Sequence, residues 1–150
     1  GSDPDTMAEA AREVEALGAD VCDINMGCPA NKVLKGCAGC ALMGDLDLAG
    51  RIVAAVRRAI EIPLTVKFRL GLDAARMNFL ELGRICEGEG AQAVALHTRT
   101  ARQMFSGDAR AGRQDRQMSL LRSAKRAAHS SIVLRWICST GPMPPSSVRW

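Results

Sequence analysis

Apolar residues return at intervals of three and four near the start of the chain, at Met7, Ala10, Ala11, Val14 and Leu17. That period predicts an amphipathic helix with those five positions facing a core. Asp3-Pro4 reads as its N-cap and first helical residue, and Gly18 as its stop. The pattern then contracts to a short apolar run, Val21 to Met26, which reads as a buried strand. After it comes a Gly-rich loop to about Gly39 and a short helical turn. A second long helix begins at Asp45, carries Leu48, Ile52, Ala55, Val56 and Ile60 on one face, and is ended by Pro63, which lacks the amide proton to continue it.

The same alternation repeats. Leu64 to Phe68 reads as a second strand, followed by a loop through Gly71 to Asp73. A third helix is expected over about Ala75 to Glu87, burying some of Phe79, Leu82, Ile85 and Cys86, with a third strand from Ala93 to His97. The Gly-Ala pairs at 18–19 and 90–91 each close a helix and open a strand, a recurring αβ joint. Helices alternating with short apolar strands predict a parallel α/β sheet. Chemistry-bearing residues end all three strands, as at the C-terminal rim of a (β/α)8 TIM barrel, whereas an open doubly wound sheet gathers its site at one switch point. Neither a G-x-G-x-x-G nor a P-loop pattern is present. Three strands cannot close a barrel, so the expectation is a partial TIM barrel.

Composition changes this picture little. Of 150 residues, 47% are hydrophobic and 24% charged, as in ordinary globular domains. No apolar run reaches the roughly 18 residues of a membrane span, and no basic-then-apolar leader opens the chain, so the expected location is cytoplasmic. The six cysteines are dispersed, unlike a secreted disulfide framework, and are expected to be reduced. Cys37-Ala-Gly-Cys40 has redox or zinc spacing but no second ligand pair, which favours structural thiols and no metal. Charge is divided: residues 1–109 hold 12 basic and 15 acidic side chains, whereas residues 110–150 hold eight basic and one acidic. The tail is also rich in serine, and reads either as a nucleic-acid arm or as sequence foreign to the fold.

Cys28 lies between Gly27, which permits a close turn, and Pro29, which restricts it. Such a thiol can attack, ligate or donate a proton, or serve only as a buried structural cysteine. With no activating base nearby in sequence, donation fits best. Lys67 sits between Val66 and Phe68, where simple solvation is not expected. It could form a Schiff base, hydrogen-bond an electron-rich flavin, or snorkel from an edge strand. His97 is followed by Arg99 and Arg102, a pattern suited either to phosphate or RNA contact or to a solvated charge pair. Asn25 could read a planar base edge or serve a turn.

Four stretches together, Asp23 to Ala30, Lys32 to Leu42, Leu64 to Gly71 and His97 to Gly107, resemble the tRNA-dihydrouridine synthase family over roughly residues 1–109. The resemblance implies an FMN-dependent (β/α)8 barrel with a smaller helical domain, monomeric at full length, that reduces the C5=C6 bond of uridines in tRNA with electrons from NADPH. By that resemblance Cys28 would protonate uracil C5, Asn25 would hold the uracil edge, and Lys67 and His97 would contact FMN. Arg69 would lie at the flavin or the RNA, and Arg99 would bind substrate. The family pattern of opening strands carrying an apolar flavin-binding turn, and of a later Gly-rich phosphate turn, is not found. The change of character after about Ala109 is what a shifted reading frame would produce. The expected division is therefore a partial FMN-binding barrel domain over 1–109 and a basic Ser/Arg-rich tail over 110–150. Alternatives are another FMN-dependent barrel acting on a small pyrimidine, and an inactive remnant.

Overall fold

The computed structural model describes residues 1–104 and 106; the basic tail expected over 110–150 lies outside the described residues. Helix α1 (Pro4–Ala16) leads to strand β1 (Cys22–Met26), a short helix α2 (Asn31–Lys35) and a 3₁₀ turn (Gly39–Gly44). Then come helix α3 (Leu46–Ala59), strand β2 (Leu64–Arg69), helix α4 (Phe79–Gly88) and strand β3 (Ala93–His97). The strands form one parallel sheet in the order β1-β2-β3, with Cys22 beside Leu64 and Thr65 beside Ala93. The chain is α/β, with parallel strands alternating with helices as in a sector of a TIM barrel.

Side-chain alternation decides how the sheet is wound. Ile24, Met26, Leu64, Val66, Phe68, Val94 and Leu96 form one buried cluster with Ala11 of α1, Ile52, Val53 and Val56 of α3, and Leu82 and Cys86 of α4. In a strand successive residues face opposite sides, so all three long helices pack on the same face. The other face carries Asp23, Asn25, Thr65, Lys67, Arg69, Ala93, Ala95 and His97. Neighbouring parallel strands in sequential order, with helices on one side only, are the winding of a barrel rather than of an open doubly wound sheet. Among the described residues no helix is long and apolar enough to cross a membrane.

Local chemistry fixes the element ends. The Asp3 carboxylate accepts from the Thr6 amide (2.8 Å) and hydroxyl (2.7 Å), capping α1, and the Asp45 carboxylate accepts from the Leu48 amide (2.9 Å), capping α3. The expected αβ joints are real and alike. Gly18 and Gly90 both have φ of 86°, and in each case the next residue's amide reaches five residues back, Ala19 to Val14 and Ala91 to Cys86. This is the left-handed Schellman ending of a helix.

Three expectations need correction. The inward stripe of α1 consists of Ala8 and Ala11 with half-buried Met7, while Ala10 and Val14 are exposed and Leu17 is 88% exposed. The cause is Glu15, whose carboxylate accepts from the amides of Glu61 (2.7 Å) and Ile62 (2.8 Å) and turns that side of the helix toward the α3–β2 joint. Helix α4 begins at Phe79 rather than near Ala75, because the Asp73 carboxylate holds the amides of Ala75 (3.1 Å) and Arg76 (3.0 Å) in a turn. The loop after β1 contains the short helix α2, which periodicity alone does not reveal in five residues.

Candidate active site at the strand ends

Because all three strands are parallel, their C-terminal ends lie at the same edge of the sheet. There β1 runs into Gly27-Cys28-Pro29, β2 ends with Lys67, Phe68 and Arg69, and β3 ends with His97. On the face away from the helices, Asn25 stands beside Lys67, Lys67 beside Ala95, and Arg69 beside His97. Side-by-side residues on paired strands are separated by about 4.8 Å. Cys28, Asn25, Lys67, Arg69 and His97 thus converge on one edge of one sheet.

The Cys28 loop is shaped by backbone contacts. The Cys40 amide donates to the Cys28 carbonyl at 3.0 Å. Gly39, with φ of 60°, approaches so closely that a Cβ there would lie 2.6 Å from the Cys28 carbonyl oxygen and 3.1 Å from the Cys28 Cβ. Only glycine combines that left-handed backbone with that approach. The Cys28 side chain is half-buried and its thiol is free.

Asn25 does part of what its turn reading expects. Its side-chain oxygen accepts from the Gly27 amide at 2.9 Å, which orients the chain into Cys28. Its NH2 group makes no hydrogen bond among the described residues and is carried by an exposed side chain. Lys67 departs from expectation. It lies on the central strand, not an edge, yet is exposed, because the sheet face away from the helices is open at this point and its β3 neighbour is only Ala95.

Arg69 is the residue whose situation was least visible in the sequence. It is 2% exposed. Its Nε donates to the Gly27 carbonyl at 2.8 Å, and its Nη1 donates to the carbonyls of Thr100 (3.1 Å) and Met104 (2.8 Å). One guanidinium thereby ties the ends of β1 and β2 to the loop after β3. Burial lowers its pKa from the ordinary arginine value, though a guanidinium retains its proton even so. Gly27 is its lateral neighbour, and a Cβ there would lie 3.4 Å from Arg69 Cγ. A sequence cannot display that register.

His97 sits among cations. Burial first, and then the charges of Arg69, Lys67 and Arg99, lower its pKa from 6.5 to about 4, so the ring is neutral at neutral pH. Arg99 Nη1 lies 3.5 Å from His97 Nε2, at the long limit of a hydrogen bond. An arginine only donates, so this contact favours Nε2 as acceptor and the proton on Nδ1. Arg102 is exposed on the turn that follows. The edge as a whole offers a thiol, an amide, a neutral imidazole and a cluster of cations. Such a set suits an electron-rich planar ring or a substrate that accumulates negative charge.

Comparison with known proteins gives a consistent result. A family model described as dihydrouridine synthase matches residues 1–114. A probable tRNA-dihydrouridine synthase of Rickettsia prowazekii is 47% identical over 109 residues, covering 73% of this chain and 33% of the relative. One from Mycobacterium tuberculosis is 54% identical over 111 residues, covering 71% and 28%. The tRNA-dihydrouridine synthase B of Yersinia pestis is 45% identical over 109 residues, covering 73% and 34%. The chain spans about a third of the length of these curated relatives.

Proposed function

The chain belongs to the dihydrouridine synthase family, and from that premise we propose that its strand-end edge is part of the site at which a uridine of tRNA is reduced to 5,6-dihydrouridine in the cytoplasm. The observation that carries the reading is that Asn25, Lys67 and His97 lie along one face of a parallel sheet toward its C-terminal edge, the edge at which β1 runs into Cys28.

The residues suit FMN. The outward Lys67 ammonium and the neutral His97 ring are donors fit for the carbonyls and ring nitrogens of an isoalloxazine, and Ala93 and Ala95 add no bulk to that face. Lys67 and His97 would hold the cofactor, which supplies hydride when bound after receiving electrons from NADPH. Asn25, pinned by its bond to Gly27, presents its NH2 to the uracil edge. Cys28 Sγ delivers the proton to C5, the carbon left electron-rich when hydride enters at C6. Lys67 stabilises the charge that develops before that proton arrives. Arg99 faces the RNA, while Arg69 contributes by fixing Gly27, the residue before the thiol. In this reading the flavin-binding sector falls within residues 1–109.

The test is to express the chain with FMN, measure bound flavin by absorbance, and quantify dihydrouridine in unmodified tRNA and in free uridine. Cys28→Ala is run in parallel, together with the matching substitution in a full-length relative. Loss of most turnover on tRNA in the substituted relative supports the role of Cys28, and unchanged turnover removes it. Reduction of free pyrimidines in preference to tRNA would replace the tRNA reading by a small-molecule one.

A further inference from the structure

We propose that Cys28 and Cys40 form an oxidation site, in which peroxide joins them by a reversible disulfide and so withdraws the Cys28 thiol. The geometry begins with the backbone. The Cys40 amide donates to the Cys28 carbonyl at 3.0 Å, and a bond of that length sets the two Cα atoms about 5–6 Å apart, inside the roughly 4.4–6.8 Å that disulfides span. Gly39 supplies the clearance. Any side chain there would press on Cys28, since a Cβ would come to 3.1 Å from the Cys28 Cβ. The missing side chain lets the two segments lie against each other.

Cys40 is 1% exposed, yet it is not among the residues of the helix-side core cluster. Its electrostatic neighbours are Arg69 and Cys28. It therefore lies at the strand-end edge beneath Cys28 and not among the helices. The other buried thiols, Cys22 and Cys86, belong to the core cluster. Cys37 is exposed, with a left-handed φ of 53°. Its C-x-x-C spacing makes it the partner that sequence alone would choose for Cys40, but it is Cys28 that the backbone bond ties to Cys40.

The order of events follows from access. Cys28 is half-buried and within reach of solvent, whereas Cys40 is enclosed and burial raises its thiol pKa. The Cys28 sulfur, as thiolate, attacks one oxygen of hydrogen peroxide. The O–O bond breaks, and the departing hydroxide takes up a proton as the first water, leaving a sulfenic acid on Cys28. The Cys40 sulfur then attacks the Cys28 sulfur. The S–S bond forms, the S–O bond breaks, and the second water leaves with the Cys40 proton. Two thiols lose two electrons and two protons, and one peroxide becomes two waters. Thiol–disulfide exchange with a small dithiol reverses the bond. The crosslink does not depend on the role proposed for Cys28 in dihydrouridine formation, although its consequence for that reaction does.

The experiment exposes the reduced full chain to a modest excess of hydrogen peroxide, blocks remaining thiols with N-ethylmaleimide, and maps linked peptides by mass spectrometry without reduction. The expected main product is Cys28 linked to Cys40, exceeding links that involve Cys37 by at least about tenfold, because the backbone bond holds Cys28 and Cys40 within the range that disulfides span. Dithiothreitol removes it. Cys37→Ser leaves it intact, and Cys40→Ser abolishes it, so that a dimedone-reactive sulfenic acid persists on Cys28. In strong urea the preference should collapse, since Cys28 lies nine residues from Cys37 and twelve from Cys40, loops that close with similar entropy, and the shorter Cys37–Cys40 loop then competes as well. The proposal is overturned by a main link through Cys37, by the same link ratio with and without urea, or by Cys28 proceeding to sulfinic acid equally fast in the parent and in Cys40→Ser.

Discussion

Replacing Gly39 with alanine should damage the chain at the point where it supports Cys28. Two costs are separable. The first is conformational: φ at Gly39 is 60°, and a non-glycine residue held in the left-handed region costs on the order of 1 kcal/mol or more. The second is contact. The new methyl would stand 2.6 Å from the Cys28 carbonyl oxygen and 2.8 Å from Val33 Cγ1. Relief requires a shift of several tenths of an ångström, and the group that has to move is the same carbonyl that accepts from Cys40. Together the two costs should reach about 2–4 kcal/mol, the range of substitutions that strain a buried contact. Gly18 provides the control. Its φ is 86°, but a Cβ there meets nothing within 4 Å, so Gly18→Ala carries the conformational cost alone, about 1 kcal/mol. Urea unfolding followed by circular dichroism measures both variants, and the second-order rate of Cys28 alkylation by iodoacetamide reports on the loop. Gly39→Ala should unfold at clearly lower urea than Gly18→Ala and should also change the alkylation rate. Equal midpoints for the two variants, or a normal alkylation rate in Gly39→Ala, would refute the claim that Gly39 seats the thiol.

Three further outcomes follow from the structure. Arg69→Met strips three carbonyls, two of them in buried bonds, of their donor and should cost about 2–4 kcal/mol in urea unfolding, with Arg69→Lys restoring only part because an ammonium cannot reach three acceptors in the fork's geometry; full stability in Arg69→Met would show that the clamp is dispensable. The His97 imidazole should titrate near pH 4 by NMR, lowered first by burial and then by its cationic neighbours. Since its folded pKa is below the unfolded 6.5, its contribution to stability is present above pH 6.5 and is lost as pH falls through about 4. Lys67→Met should move that midpoint upward, and a midpoint near 6.5 in the parent would contradict the crowding of charge at this edge. Glu15→Ala removes the acceptor of two amides at the α3–β2 joint and should lower stability by about 1–2 kcal/mol, which thermal unfolding would register; no change would mean that water substitutes for the carboxylate.

The sequence was most legible where a strand is short, apolar and bounded by glycine or proline. Strand β3 matches its expected limits, β1 differs only by Val21, and β2 runs one residue further, through Arg69. The positions of Cys28, Lys67 and His97 at or just past strand ends were legible because counting along the chain fixes them. What escaped depends on contacts between distant segments. The orientation of α1 is set by Glu15 reaching the amides of Glu61 and Ile62. The late start of α4 reflects Asp73 competing for the amides of Ala75 and Arg76, with the Asn78 Nδ2 donating to the Met43 carbonyl at 2.6 Å. The burial of Arg69 depends on its Nε donating to the Gly27 carbonyl just past β1, and that register exists only once the strands have paired.

The two faces of the sheet explain why the site lies where it does. The large apolar residues of the strands are committed to the helix side, where Ile24, Val66, Phe68 and Leu96 share one cluster with α1, α3 and α4. Aspartate, asparagine, threonine, lysine, arginine and histidine are left for the opposite face. A face so polar gains nothing from packing on another apolar layer, because each of its groups would need a hydrogen-bonding partner there. The buried member already has such partners in the carbonyls of Gly27, Thr100 and Met104, and it is Arg69. Of the exposed members, Asn25 and Lys67 retain donor capacity for a ligand. Structural and binding roles thus separate along a single strand: Lys67 and Arg69 point to the same side two residues apart, and differ because Arg69 lies against Gly27 while Lys67 lies against Asn25 and Ala95.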